Sequence, residues 1–275
     1  MRTSRAEHVI RNLAAVLAVA FFLLPIVWLF STSFKLQRDT FQLPPLWLGF
    51  EPTWNNFAFA INQIRVGQFV LNSVVISAGT TLASVVLGTL GGYAVARSRL
   101  RLMSASSYFF LVLLMIPPVA MLVPFYLIMR DLGLLGTYLA VIILDTVYNA
   151  PFVVWMMSNY FRSVSTEMEQ AALVDGASHF QAFAQVALPL ALPGLIASVL
   201  YCVIFSWNDF IFALLLTSPS TKTVPLAIMG QFSTAQLQWG YMAALSVFAV
   251  LPMLLLALAL NRYFVQGLTA GATKG

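Results

Sequence analysis

The chain has 275 residues, of which 60% are hydrophobic and 8% charged, with a mean hydropathy of +0.88 and a formal net charge of +5. A water-soluble domain carries about 25% charged residues, so this composition cannot clothe a water-facing surface. It also excludes a disordered chain, and the single cysteine, Cys202, excludes a disulfide scaffold. The basic excess sits in short clusters between long apolar runs, which reads as membrane topology; no nucleic-acid partner is expected.

A helix needs about 20 mostly apolar residues to cross the hydrocarbon core. Six runs qualify, at roughly 10–33, 68–96, 104–130, 137–160, 186–217 and 240–265. They are too long for transmembrane strands and do not alternate in polarity. The expectation is an all-α polytopic protein with six membrane helices, forming one transmembrane domain over 1–275.

Arg2, Arg5 and Arg11 precede the first run, and Ala18-Val19-Ala20 resembles a signal-peptide cleavage site. The apolar stretch continues past that site through Trp28, whereas cleavage should follow the apolar core, so an uncleaved span is expected. The segment 34–67 carries Pro44-Pro45, Trp47, Pro52 and Trp54 and reads as an ordered external loop. In the second run Ser84, Gly88 and Gly92 recur every four residues, the small-residue spacing that lets helices approach closely. Pro25, Pro117-Pro118, Pro124, Pro151 and Pro252 interrupt spans, as kinks or as hinges.

Lys and Arg placement sets orientation. One side holds nine: Arg2, Arg5, Arg11, Arg97, Arg99, Arg101, Arg162, Arg262 and Lys274. The other holds five: Lys35, Arg38, Arg65, Arg130 and Lys222. Both termini are therefore expected in the cytoplasm, together with the segment 161–188.

That segment carries the most information. Ser165 and Thr166 precede Glu167 and Glu169, a helix N-terminus with negative charge at its positive dipole end. Ala172, Gly176, Phe180, Phe183 and Ala187 recur at helical steps and predict one continuous face, with Gly176 as a notch and the two aromatics as a knob. Such a face needs a cover. It packs on the protein's own helices, lies at the lipid interface, or meets a protein partner. An interfacial helix is rich in Lys and Arg, and none lies between Thr166 and Pro189, which favours the partner.

Glu169-Gln170-Ala171-Ala172, Asp175-Gly176-Ala177 and then Val186 and Leu188-Pro189 resemble the signature cytoplasmic loop of permease subunits of bacterial ABC importers. That pattern is Glu-Ala-Ala, a Gly three residues beyond, nine residues, then Ile-x-Leu-Pro. Here Gln170 stands at the usual Glu and Val186 at the Ile. Asn72-Ser73, Tyr93-Ala94-Val95-Ala96-Arg97, Ser33-Phe34-Lys35, Trp207-Asn208-Asp209 and Thr223-Val224-Pro225-Leu226 are similar to the carbohydrate branch, to the shorter six-span permease of the maltose-type pair.

The resemblance implies a type I importer permease in a prokaryotic cell (inner) membrane, forming half of a pore. Its partners would be a second homologous permease, an ATP-binding cassette ATPase dimer and an extracytoplasmic solute-binding protein. ATP and Mg would belong to the ATPase, with no cofactor on this chain. The substrate would be a sugar, polyol or glycerol-phosphate compound. Glu169, Gln170, Ala171, Ala172, Asp175, Gly176, Phe180 and Phe183 would couple to the ATPase, with Glu169 meeting a basic residue there.

Asp145 and Asp209 are acidic groups inside apolar runs, each costing about 2.5–3.5 kcal/mol at mid-membrane. At a rise of 1.5 Å per residue each lies roughly 10–12 Å from the external end of its run. Equal depth suits a shared water-filled cavity on a translocation path with Trp207 and Asn208; the alternative is that each is solvated from the external vestibule or bonds to a neighbouring helix. His179 is a lone imidazole with no metal-ligand companions, and Cys202 reads as a small buried apolar residue.

A self-powered pump would need a P-loop, and Lys35, Lys222 and Lys274 have no such context. No Ser/His/Asp set, H-E-x-x-H or C-x-x-C pair occurs, so no enzyme activity is expected. The rival is an ion-coupled secondary carrier, which would be expected to show internal repeats with paired broken helices. No such repeat is evident.

Overall fold

The computed structural model describes residues 5–47, 49–98, 109–233 and 238–272. Arg2, Arg99, Arg101 and Lys274 of the topology reading, and the start of the third run, lie outside the described residues. In chain order the helices are α1 (Arg5–Ser33), α2 (Gln37–Thr40), α3 (Asn55–Asn62), α4 (Val66–Arg97), α5 (Pro118–Asp131), α6 (Tyr138–Ser163) and α7 (Thr166–Val174). They continue as α8 (His179–Leu190), α9 (Leu192–Trp207), α10 (Ile211–Leu216), α11 (Val224–Met229) and α12 (Trp239–Ala272). Among the described residues no extended strand forms, so the all-α expectation holds.

Among the described residues four stretches are long and apolar enough to cross a membrane: His8–Ser33, Val66–Arg97, Tyr138–Ser163 and Trp239–Ala259. The other two expected spans are altered. The third run breaks at Pro117, and α5 that follows has 14 residues, about 21 Å of helix against the roughly 30 Å of a hydrocarbon core. The fifth run is bent by 77° between α8 and α9. Pro193 has no N–H to offer the Pro189 carbonyl and its ring crowds it, so the helix turns at Ala191 and restarts. Residues 186–190 therefore belong to the loop side of the bend. Pro25, Pro124, Pro151 and Pro252 stay within their helices.

The chain folds as two compact units. The first comprises 1–68 and 227–252. In it the Asn56 Nδ2 donates to the carbonyls of Ser33 at 2.9 Å and Lys35 at 2.8 Å, fastening α3 to the end of α1. Phe59 stacks on Tyr241 of α12, with centroids 3.9 Å apart. Phe34 lies 5.0 Å from Trp54 and 4.9 Å from Phe57. Aromatic packing thus links Phe34 to Trp54 and Phe57. Lys35 is fully buried, with Nζ 3.9 Å above the Trp28 ring.

The second unit comprises 69–226 and 253–275. Its centre is the pairing of α4 with α6. A β-carbon added at Gly88 would strike Val153, and one at Gly92 would strike Met157, while Thr80 meets Asp145. Each partner stands 65 positions later in the chain, so the two helices run parallel. Gly88 and Gly92, of the four-residue series Ser84, Gly88 and Gly92, form this seam. Helix α9 packs antiparallel on α6, with Phe152 stacked on Tyr201 at 3.7 Å and Tyr148 on Phe205 at 5.2 Å. At the other end of the seam Asn72 bonds the carbonyls of Ser220 and Lys222 and accepts from the Tyr138 hydroxyl, while the Ser73 hydroxyl accepts from Val224 N–H. Cys202 is a free buried thiol on α9.

Candidate coupling site

The segment between α6 and α9 is a helical hairpin whose local chemistry sets its shape. Val164 leaves α6 in an extended conformation. Ser165 then caps α7, its side chain accepting from Glu167 N–H at 3.2 Å, with Glu167 and Glu169 in the first turn. A cap of this kind contributes about 1 kcal/mol. The expected helix start is therefore present.

The expected continuous face is not. Gly176 has φ +93, a left-handed conformation that glycine adopts without steric cost. Gly176 N–H bonds the Leu173 carbonyl and Ala177 N–H the Ala172 carbonyl, at 3.1 and 2.9 Å. This is the Schellman pair that ends a helix. Ser178 then caps α8 in a reciprocal capping box with Gln181. Gly176 is a helix terminator rather than a notch, and Ala172 and Phe180 stand on different helices. Within α8, Phe183–Ala187 adopts a π turn.

The knob divides as well. Phe180 is 72% exposed, whereas Phe183 is buried, its ring 4.8 Å from Tyr93 and 6.1 Å from Phe161. Gln170, Ala171, Asp175 and Gly176 are exposed and Ala172 is half-buried. Val174 is 88% exposed and Met168 50%. Sequence reasoning passed over both residues, since neither keeps the periodicity through Gly176.

Glu169 is the largest departure from expectation. Its carboxylate is 7% exposed and turned into this chain. The Arg97 Nε donates to Oε1 at 2.9 Å and the guanidinium Nη2 also bonds Oε1. The Tyr93 hydroxyl donates to Oε2 at 2.7 Å. In this chain both oxygens are bonded internally, so the carboxylate expected to face a partner's basic residue is held in an internal ion pair. Arg97 also reaches the Val164 carbonyl at 3.2 Å. The sequence offered a clue, for Tyr93 and Arg97 lie four apart on one helix face and the buried acid needed a cation.

The four residues expected on a translocation path separate into two pairs. Asp145 is fully buried. Its Oδ2 accepts from Ser206 at 2.7 Å and from Thr80 at 3.5 Å, which ties α4, α6 and α9 together. This is the helix-bonded alternative. Trp207 is buried too. Asn208 and Asp209, in contrast, stand at the break between α9 and α10 on an open cleft of about 480 Å³, with Pro118, Phe205 and Phe210. Asn208 is exposed and bonds back to the Ile204 carbonyl. Asp209 caps α10, accepting from the N–H groups of Phe212 and Ala213 at 3.2 and 2.9 Å. Among the described residues no cluster of three His, Cys, Asp or Glu side chains is placed to hold a metal ion.

Comparison with known proteins agrees with this architecture. Residues 84–270 match the family model described as binding-protein-dependent transport system inner membrane component. A probable ABC transporter permease protein of Sinorhizobium fredii is 34% identical over 256 residues, covering 92% of this chain and 91% of that protein. The trehalose/maltose transport system permease protein MalG of Thermococcus litoralis is 30% identical over 279 residues, with full coverage of both chains. In structure, a chain of a bacterial ABC transporter involved in import of the acidic polysaccharide alginate superposes with a TM-score of 0.78 over 96% of this chain and 99% of that one, at 22% identity. The fold is shared across that distance. By family match and by relatives aligned along nearly its whole length, this chain belongs to the binding-protein-dependent inner membrane components and is a multi-pass permease subunit of an ABC importer.

Proposed function

We propose that this chain is the shorter of two permeases in an ATP-driven importer of a sugar or a related polyol or glycerol-phosphate compound. The α7–α8 hairpin docks on a separate ATPase dimer, which carries the ATP and Mg, and both termini face the cytoplasm with it. A solute-binding protein delivers the substrate on the other side. This chain itself performs no catalysis.

The observation that carries the reading is the outward surface of the hairpin. Val174 and Phe180 are exposed beyond what water favours, while the same hairpin is held inward by Glu169 and Phe183. A rigid, apolar protrusion of this kind suits a protein partner. The sugar reading rests on the relatives' names, together with the aromatic and amide lining of the Asn208 cleft, which includes Phe205, Phe210 and the exposed Asn208. Asn208 and Asp209 are the path residues in this reading; Asp145 and Trp207 hold the helices that frame them.

The test is affinity purification of the tagged chain from its native membrane in mild detergent, with mass spectrometry of the co-purifying chains. The expected companions are a second permease and a P-loop ATPase. The associated binding protein is then screened by thermal shift against maltose, trehalose, raffinose and glycerol 3-phosphate, and a shift with at least one sugar is expected. Recovery of the chain alone, or only as a homomer, would support an ion-coupled carrier instead.

A further inference from the structure

Tyr93 sits where the two halves of the hairpin converge on α4. Its hydroxyl bonds Glu169 of α7, and its ring packs against Phe183 of α8. Arg97, one turn later and the last residue of α4, closes the arrangement by bonding both Glu169 and the Val164 carbonyl at the end of α6. One polar and one apolar contact thus clamp the hairpin to the same turn of α4, from helices on either side of the Gly176 turn. Farther along α4, Gly88 and Gly92 lie against Val153 and Met157 with no room for a methyl group. A displacement of that turn cannot be absorbed by slack between α4 and α6, because close-packed interfaces transmit strain rather than deform.

We propose that Glu169 is a positioning residue for coupling: held by Arg97 and Tyr93, it makes the α7–α8 hairpin and the end of α4 move as one, so that motion imposed on the hairpin reaches α4 and, through the glycine seam, α6. The inference rests on the reading of the hairpin as the ATPase-docking element and adds what that reading lacks, a joint between the docking surface and the membrane helices. It explains why the acid is turned inward. An exposed carboxylate contributes to docking alone, whereas a buried one bonded at both oxygens fixes the angle at which the docking surface is presented.

The joint is tested on the whole complex with a readout of helix motion that needs no knowledge of the substrate. A reporter cysteine replaces Ile204, an exposed residue of α9 on the Asn208 cleft, in a Cys202→Ala background. Its labelling rate by a membrane-impermeant maleimide is compared with and without ATP and vanadate. In the parent complex, nucleotide trapping changes the rate. Glu169→Gln and Arg97→Gln are expected to trap as much nucleotide as the parent yet lose that change. Asp131→Asn, which removes an exposed carboxylate outside the hairpin, keeps it.

A full response in both Glu169→Gln and Arg97→Gln would overturn the joint. So would a response that falls only in proportion to trapped nucleotide, since that marks a contact serving assembly alone. Failure of the reading beneath is distinct: the parent complex would then contain no ATPase and trap no nucleotide.

Discussion

Gly92 on α4 and Met157 on α6 approach so closely that a β-carbon on the glycine would lie 2.8 Å from the Met157 Cβ, and 3.0 Å from the Ser158 nitrogen and the Val154 oxygen. Two of these neighbours are backbone atoms and cannot swing aside. Gly92→Leu should therefore force the parallel helices apart and cost about 1–3 kcal/mol or more. A lowered Tm of the purified protein in detergent checks this. Gly67→Ala, where nothing lies within 4 Å, should leave Tm unchanged.

The turn at Gly176 gives a second expectation. A β-branched residue at φ +93 pays about 1–2 kcal/mol for the left-handed conformation. Gly176→Val should distort or unfold the hairpin turn and abolish uptake, with the complex retained in the membrane or weakened in assembly. Gly176→Asn, which tolerates this conformation better, should retain more transport. Uptake of the sugar that shifts the binding protein, normalised to complex content, is the measurement. Normal transport by the valine variant would count heavily against a coupling role for the hairpin.

Asp145 accepts from Ser206 and Thr80 in a fully buried position. Asp145→Asn keeps an acceptor oxygen for both hydroxyls and should fold. Asp145→Leu leaves two buried hydroxyls without that acceptor and should cost about 1–3 kcal/mol for each one left unpaired. Thermal unfolding of the two variants in the same detergent separates them. Equal stability would remove the triple-helix tie from the account.

Lys35 lies outside the membrane helices and is buried over Trp28. Burial pulls its ammonium below the ordinary value of 10.5, and the Asp39 carboxylate partly offsets that. In the window just under pH 10.5 the unfolded chain then holds more proton than the folded one, so this group's contribution to stability rises as pH rises through that window. The difference in Tm between the parent and Lys35→Met should shift in the parent's favour on going from pH 8 towards pH 10.5. A flat difference would contradict it.

The parts of this structure that sequence reading reached are those with a local signature. Long apolar runs mark α1, α4, α6 and α12, small residues every four positions mark the α4 seam, and Ser165 before two acids marks the start of α7. What escaped was set by backbone angles or by distant partners. Periodicity carried the docking face straight through Gly176 because residue spacing holds no information on a positive φ. Pro189 and Pro193 stood in plain view as a break, yet the apolar run around them read as one span. Glu169 appeared available to a partner because its own partner, Arg97, lies 72 positions earlier in the chain. The spacing of Phe180 and Phe183 does bring their rings together, 6.3 Å apart, but the burial of Phe183 is decided by the Tyr93 and Phe161 rings.

The central claim is that the α7–α8 hairpin is the surface on which an ATPase docks. It is tested most directly by placing a photo-crosslinking amino acid at position 180, where Phe180 stands 72% exposed, and irradiating native membranes. One main adduct is expected, formed with a P-loop ATPase and absent when the crosslinker replaces the buried Phe183. Adducts only to lipid, or only to a second copy of this chain, would contradict it.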